Sequence, residues 1–190
     1  RNLQSASPNG ARERWKRWFV KRVDWWFAYT ELTRSILCSD NFPSDRITVL
    51  NNAIDNNEFM SDLAAVTPIQ MQSCRDRLGS SKDAPIGIYC GSLYPDKCLD
   101  LLVAAADIVH AQHKDFRLVV LGDGPSRSTI TDAAASRPWL HWVGVQRGIN
   151  KAMWFRVATA YLSPGAVGLH VLDAFCAGIP MITTNVARHG

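Results

Sequence analysis

Residues 163–183 read SPGAVGLHVLDAFCAGIPMIT. A Pro164-Gly165 turn opens the segment, Gly168 follows, and an apolar run leads through Ala177-Gly178-Ile179-Pro180 into a second apolar stretch. This punctuation spells loop, helix, tight turn and strand. Two uses of the entrance glycines are open. A loop without side chains lets an anion approach the free N–H groups of a helix's first turn. The same glycines also permit a left-handed turn with no ligand at all. Asp173 is the segment's only acidic residue. A carboxylate there can accept hydrogen bonds from a vicinal diol such as a ribose, or it can simply complement the positive end of the helix dipole.

The same rhythm runs backward from this segment. APIGIYCGSL, FRLVVLGDGP and WLHWVGV read as strands, and DKCLDLLVAAADIVHAQH, STITDAAASR and NKAMWFRVATAY as the helices between them. Repeated strand–helix units with short connections predict an α/β domain, a doubly wound, mostly parallel sheet with helices on both faces. Ligands of such sheets lie beyond the carboxyl ends of the strands. The loops expected to face a ligand are therefore 91–97, 122–125, 144–150 and 163–168. Upstream, residues 12–23 predict an amphipathic helix, 25–30 a short strand, and TELTRSILCSD a helix. ITVLNNAID is a strand running into an Asn-rich linker, and SDLAAVTPIQMQSCRDRLG a helix interrupted by Pro68. A boundary is expected near residues 50–57.

Composition narrows the class. The chain has 190 residues, 47% hydrophobic and 20% charged, ordinary values for a globular protein. No apolar run approaches the roughly 18 residues of a membrane span. The five cysteines form no C-x-x-C pair, so buried free thiols in a reducing cytosol are expected rather than a disulfide or metal site. The net charge of +4 is concentrated between Arg12 and Arg22, where tryptophans interleave. Basic and aromatic residues mixed in this way suit an anionic membrane surface, and equally a helix packed into a core. The chain begins at Arg1 and stops just after an apparent strand, so a fragment at both ends is expected.

Other residues carry two readings each. Lys97, at the mouth of the long helix, can meet a diphosphate or be a solvated lysine. The GDGP turn at 122–125 can admit a phosphate or merely turn the chain. His110 and His113 share a helix face with no third ligand, so no metal is expected. His170 abuts the glycine loop, and His189 follows the last strand.

Taken together, these motifs resemble the donor-binding half of a retaining glycosyltransferase of the two-Rossmann, GT-B type (glycosyl transferases group 1, or family 4). ITVLNNAIDNNEF resembles that family's interdomain strand and linker. CGSLYPDKCLDLLVAAA resembles its Gly-Arg-Leu and Lys-Gly element, and FRLVVLGDGP its second strand and turn. PGAVGLHVLDAFCAGIPMITT resembles its donor-binding signature. The resemblance implies that residues 1–50 end an acceptor-side domain, 51–58 are the linker and 59–190 are a Rossmann-like donor domain. It implies a hexosyl-type transfer from a nucleotide-sugar donor to a carbohydrate or lipid-linked acceptor, without metal or other cofactor and without nucleic acid. The implied location is the cytoplasm, with peripheral membrane contact through residues 12–27.

Position by position, Lys97 matches the lysine on the donor's diphosphate, and Gly168 and Leu169 match the loop whose amides meet phosphate or sugar. Asp173 stands where a glutamate grips the ribose. Two positions depart from the pattern. Ser92 replaces the usual arginine, and Gly165 replaces the first glutamate, a version that resembles a subgroup of the family. His170 becomes a candidate donor contact in its place. No catalytic residue is assigned, and the fragment alone is not expected to turn over. A GT-B epimerase and a non-catalytic nucleotide-sugar-binding or scaffold domain remain alternatives. A dinucleotide oxidoreductase is disfavoured, since no G-x-G-x-x-G opens a first strand–helix unit.

Overall fold

The computed structural model describes residues 10–185 apart from Asn52. His189, expected just after the last strand, lies outside the described residues. The chain divides into two compact units, Arg1–Ile54 and Asp55–Gly190.

In the first unit α1 (Ala11–Val20), β1 (Trp26–Ala28), α2 (Glu31–Ser39), a 3-10 turn (Ser44–Arg46) and β2 (Ile47–Val49) follow in order. The two strands are parallel, with Trp26 opposite Ile47. Val20, Ala28, Leu37 and Phe42 form a small core. α1 stops short of the expected Val23, because Val23 packs against that core instead of continuing the helix. Trp26 joins it, its Nε1 donating to the Val20 carbonyl at 3.2 Å. Trp15 and Trp18 remain exposed, at 62% and 51%. The Arg22 guanidinium lies 3.7 Å from the centre of the Trp18 ring.

The second unit carries the alternation read from the sequence. Its elements are α3 (Asn57–Ala65), α4 (Pro68–Arg77), β3 (Ile86–Cys90), a 3-10 turn (Pro95–Lys97), α5 (Leu99–Gln112), β4 (Arg117–Leu121), α6 (Arg127–Ala135), β5 (Leu140–Gly144), α7 (Gly148–Val157), β6 (Ala160–Ser163), α8 (His170–Cys176) and β7 (Met181–Thr183). Pro68 starts a helix rather than interrupting one. Its missing N–H costs nothing at the first helical position, and Thr67 and Gln70 close a capping box around it.

The strands lie in the order β5-β4-β3-β6-β7, all parallel. Strands β3 to β5 step outward on one side and β6 returns to the other side of β3, so the winding reverses between β3 and β6. Central strands of a parallel sheet are covered on both faces, and all five residues of β3 are buried. Side chains alternate between faces. Val119 and Leu121 pack with Phe59, Leu63, Trp154 and Phe155 from α3 and α7. Leu118 and Val120 pack with Leu102, Ala106 and Ile130 from α5 and α6. This two-sided core fixes the strand ends, and the strand ends carry the site.

Candidate functional site

A crevice of about 260 Å³ opens at the carboxyl ends of β3, β4 and β5, next to the point where the winding reverses. Cys90 and Gly91 from β3, Leu121 and Gly122 from β4, Val145 to Gly148 after β5, Lys151 of α7 and His170 of α8 line it. Three of the four loops expected at the ligand face therefore supply its wall. The close approach of the β3 and β4 ends needs glycine. A Cβ on Gly122, whose φ is +135°, would collide with the Gly91 carbonyl. The Gly91 N–H donates to the Leu121 carbonyl at 3.0 Å, and the Gly122 N–H to Gly144 at 2.9 Å.

One wall of the crevice is an array of three charged side chains. Asp173 is fully buried. One of its carboxylate oxygens accepts from Lys151 Nζ at 3.0 Å, and the other faces His170 Nδ1 at 2.7 Å. Burial pushes the Asp173 carboxyl up, but the hydrogen bonds from His170 and Lys151 outweigh it and hold the group below the usual carboxylate range. His170 is raised to about 9, by the Asp173 hydrogen bond first and the Cys90 thiol second, against the opposing effect of burial. Its ring is therefore protonated near neutral pH. The Lys151 ammonium also lies 4.2 Å from the centre of the Phe59 ring, a favourable seat for a cation. With Arg147 on the adjoining loop, the crevice presents three cationic side chains around one buried anion.

Of the seven donor-site candidates named from the sequence, His170 lines this crevice. Asp173 lies behind it and reaches it through His170 and Lys151. Lys97 ties loops together: its Nζ donates to the Ala166 carbonyl at 2.7 Å and lies 3.6 Å from Asp96. Ala166 returns an N–H to the Asp96 carbonyl at 2.9 Å. Gly165 belongs to the same seam, since a Cβ there would collide with the Asp96 carbonyl and the Lys97 backbone. Gly168 is different. It is exposed, its φ is not positive, and a Cβ there would meet no atom within 4 Å. Neither packing nor backbone geometry demands glycine at 168. Leu169 caps α8. Ser92 is exposed, and its carbonyl accepts from the Tyr89 hydroxyl at 3.0 Å.

Lys151 and Arg147 were not singled out from the sequence. Arg147 fell inside a loop expected at the ligand face, whereas Lys151 sits in a helix where a lysine reads as solvated. Its partner is 22 positions away, and only the fold brings them together. His110 has a structural role: it stacks on Trp139 with ring centres 4.9 Å apart, and its Nδ1 lies 3.3 Å from the Phe116 carbonyl. The cysteines are all free, and Cys74 and Cys90 are buried as expected; Cys98, in contrast, is exposed beside the Lys97 turn. Among the described residues, no group of three or more His, Cys, Asp or Glu is placed to hold a metal ion, and no helix is long and apolar enough to cross a membrane.

A doubly wound parallel sheet with a crevice at its reversal point defines a Rossmann-like nucleotide-binding architecture. Residues 84–190, more than half of the chain, match the family described as Glycosyl transferases group 1, and the chain belongs to that family. It is 21% identical over 141 residues to an alpha-monoglucosyldiacylglycerol synthase of Acholeplasma laidlawii, covering 71% of this chain and 35% of that protein. It is 27% identical over 169 residues to a D-inositol 3-phosphate glycosyltransferase of Thermobispora bispora, covering 78% of this chain and 38% of that protein. The chain thus spans little more than a third of these curated relatives. Among solved structures, Anabaena HepE in complex with UDP superimposes with a TM-score of 0.68 at 14% identity, over 97% of this chain and 52% of HepE.

Proposed function

We propose that residues 59–190 bind a nucleotide-sugar donor for a retaining, metal-independent, hexosyl-type glycosyltransferase, with residues 1–50 belonging to an acceptor-side domain and 51–58 linking the two. The observation that carries this reading is the crevice itself. It stands at the strand ends beside the winding reversal, where open α/β sheets hold nucleotides, and it presents Arg147, Lys151 and His170 around a single buried carboxylate. The nucleotide in the HepE complex is UDP, which makes a nucleoside diphosphate the ligand to try first.

In this reading the nucleoside lies against the 145–148 loop and the diphosphate meets the cationic wall. Gly168 leaves room for the phosphate or sugar beside Leu169, in keeping with its open surroundings. Ser92, on the exposed loop after β3, contributes a hydroxyl where the family resemblance would place an arginine. Lys97 and Gly165 act by holding the 163–168 loop in place. Asp173 sets the charge of the wall behind the ribose. Fixed cationic side chains stabilise the leaving diphosphate as the glycosidic bond breaks, which is the part a metal ion plays in other transferases. The product would be a glycan or glycolipid.

The acceptor is proposed to be a carbohydrate or a lipid-linked sugar, met at the cytoplasmic face of a membrane. The exposed Trp15 and Trp18, with Arg14, Lys16, Lys21 and Arg22 on the same short segment, support a peripheral contact with anionic lipid.

The deciding experiment is a calorimetric titration of UDP, GDP and ADP against the chain in EDTA. The reading predicts that one of them binds without divalent cation and that Arg147→Ala weakens it about tenfold, as expected for one lost charge-assisted contact. Binding of none of the three, or binding indifferent to Arg147→Ala, would refute it.

A further inference from the structure

The crevice asks for one more assignment, and it rests on the donor-site reading above. The loop that follows β3 carries no charge at Gly91 or Ser92, yet it forms one wall of the crevice. His170 of α8 stands close to that loop: a Cβ placed on Gly91 would lie 3.6 Å from His170 Cδ2, with the Tyr89 hydroxyl at 3.3 Å. Nδ1 of His170 is committed to Asp173 at 2.7 Å. The Cys90 thiol also raises the ring's pKa, and sulfur is a weak hydrogen-bond partner that a phosphate oxygen can displace.

We propose that the His170 imidazolium binds the donor's diphosphate, and that Lys151 is the positioning residue that fixes Asp173 so that Asp173 can orient and charge His170. The three side chains act as a unit. Asp173 is buried and cannot rotate toward water without abandoning Lys151, so it offers His170 one fixed oxygen. Lys151 is itself held between Asp173 and the Phe59 ring. With His170 protonated the trio carries one net positive charge, presented at the crevice by the histidine. The groups facing His170 are Asp173 on its own helix, Cys90 at the end of β3, Lys151 on α7 and Arg147 on the loop before it. Burial opposes protonation of the ring, and the direct hydrogen bond to Asp173 outweighs it.

The test compares UDP affinity for the wild type and His170→Gln at intervals from pH 7.5 to pH 10, with a proton NMR titration of His170 alongside. The ratio of the two affinities cancels any ionisation of UDP itself. We expect His170→Gln to bind about tenfold more weakly at pH 7.5, the value of one charge-assisted hydrogen bond. The ratio should approach one as the pH passes the titration of His170, expected near 9. Asp173→Asn should move that NMR titration to lower pH. Lys151→Met should weaken UDP binding and shift the His170 titration from its wild-type position, and Lys151→Arg should restore both. A ratio that stays constant with pH, or equal affinities at pH 7.5, overturns this inference while leaving the donor site intact. Failure of UDP, GDP and ADP to bind the wild type would overturn both.

Discussion

Lys151 Nζ lies 3.0 Å from a carboxylate oxygen of Asp173 that is sealed from solvent, joining α7 to α8 across the lip of the crevice. Removing Lys151 leaves the buried Asp173 carboxylate with His170 as its remaining partner, so its charge stays partly compensated. Lys151→Met alone should therefore destabilise the second unit by about 1–3 kcal/mol, less than a fully orphaned buried charge would cost. Replacing both, as Lys151→Met with Asp173→Leu, should recover much of that loss. Urea denaturation of the two single variants and the double variant gives the coupling directly.

The pH dependence of stability has a definite sign. His170 is raised in the folded chain to about 9 from the ordinary 6.5. Its contribution is present in full below pH 6.5 and is lost as the pH rises through 9. Asp173 is lowered, so its contribution holds above the usual carboxylate range and is lost on acidification. Denaturant midpoints of the wild type and His170→Gln should differ most near pH 6 and converge by about pH 10.

Gly165 and Gly168 should respond oppositely to alanine. At 165 a Cβ meets the Asp96 carbonyl and the Lys97 backbone, so Gly165→Ala should cost about 1–3 kcal/mol, as overpacking does. At 168 nothing stands within 4 Å, so Gly168→Ala should leave the urea midpoint unchanged and act on nucleotide affinity alone.

This contrast also shows what the sequence could and could not convey. The strand–helix alternation is legible because β3 to β6 are apolar, short and closed by glycine or proline, and three loops lining the crevice follow from that alternation alone. The two entrance glycines looked equivalent on paper. Their roles diverge because the 95–97 turn packs on Gly165 and leaves Gly168 open, a tertiary fact with no local signature. Asp173 was conspicuous as a lone carboxylate, but its burial and its two partners were not. Lys151 has a surface lysine's sequence context and a core residue's surroundings. Pro68 looks like an interruption in isolation, whereas Thr67 and Gln70 beside it spell a helix start.

Lys97 holds the 163–168 loop through the Ala166 carbonyl. Lys97→Ala should raise amide hydrogen exchange in that loop while leaving β3 and β4, buried at the centre of the sheet, fully protected. Unchanged exchange at residues 164–168 would remove Lys97 from the seam.

Trp15 and Trp18 offer a separate test of the proposed membrane contact. Pelleting with vesicles containing phosphatidylserine should exceed pelleting with neutral vesicles and fall with salt, and Trp15→Ala with Trp18→Ala should reduce it. Equal pelleting with both vesicle types would refute an electrostatic contact.

The central claim is that the crevice at the ends of β3, β4 and β5 receives the donor nucleotide. The most direct measurement is a map of amide chemical shifts in the isotopically labelled chain as UDP is added in EDTA. The account predicts that the largest changes fall on Gly91, Gly122, Arg147, Gly148, Gly168 and His170, with little change in α5 and α6 on the opposite face of the sheet. Changes centred on any other surface, or none at millimolar UDP, would contradict it.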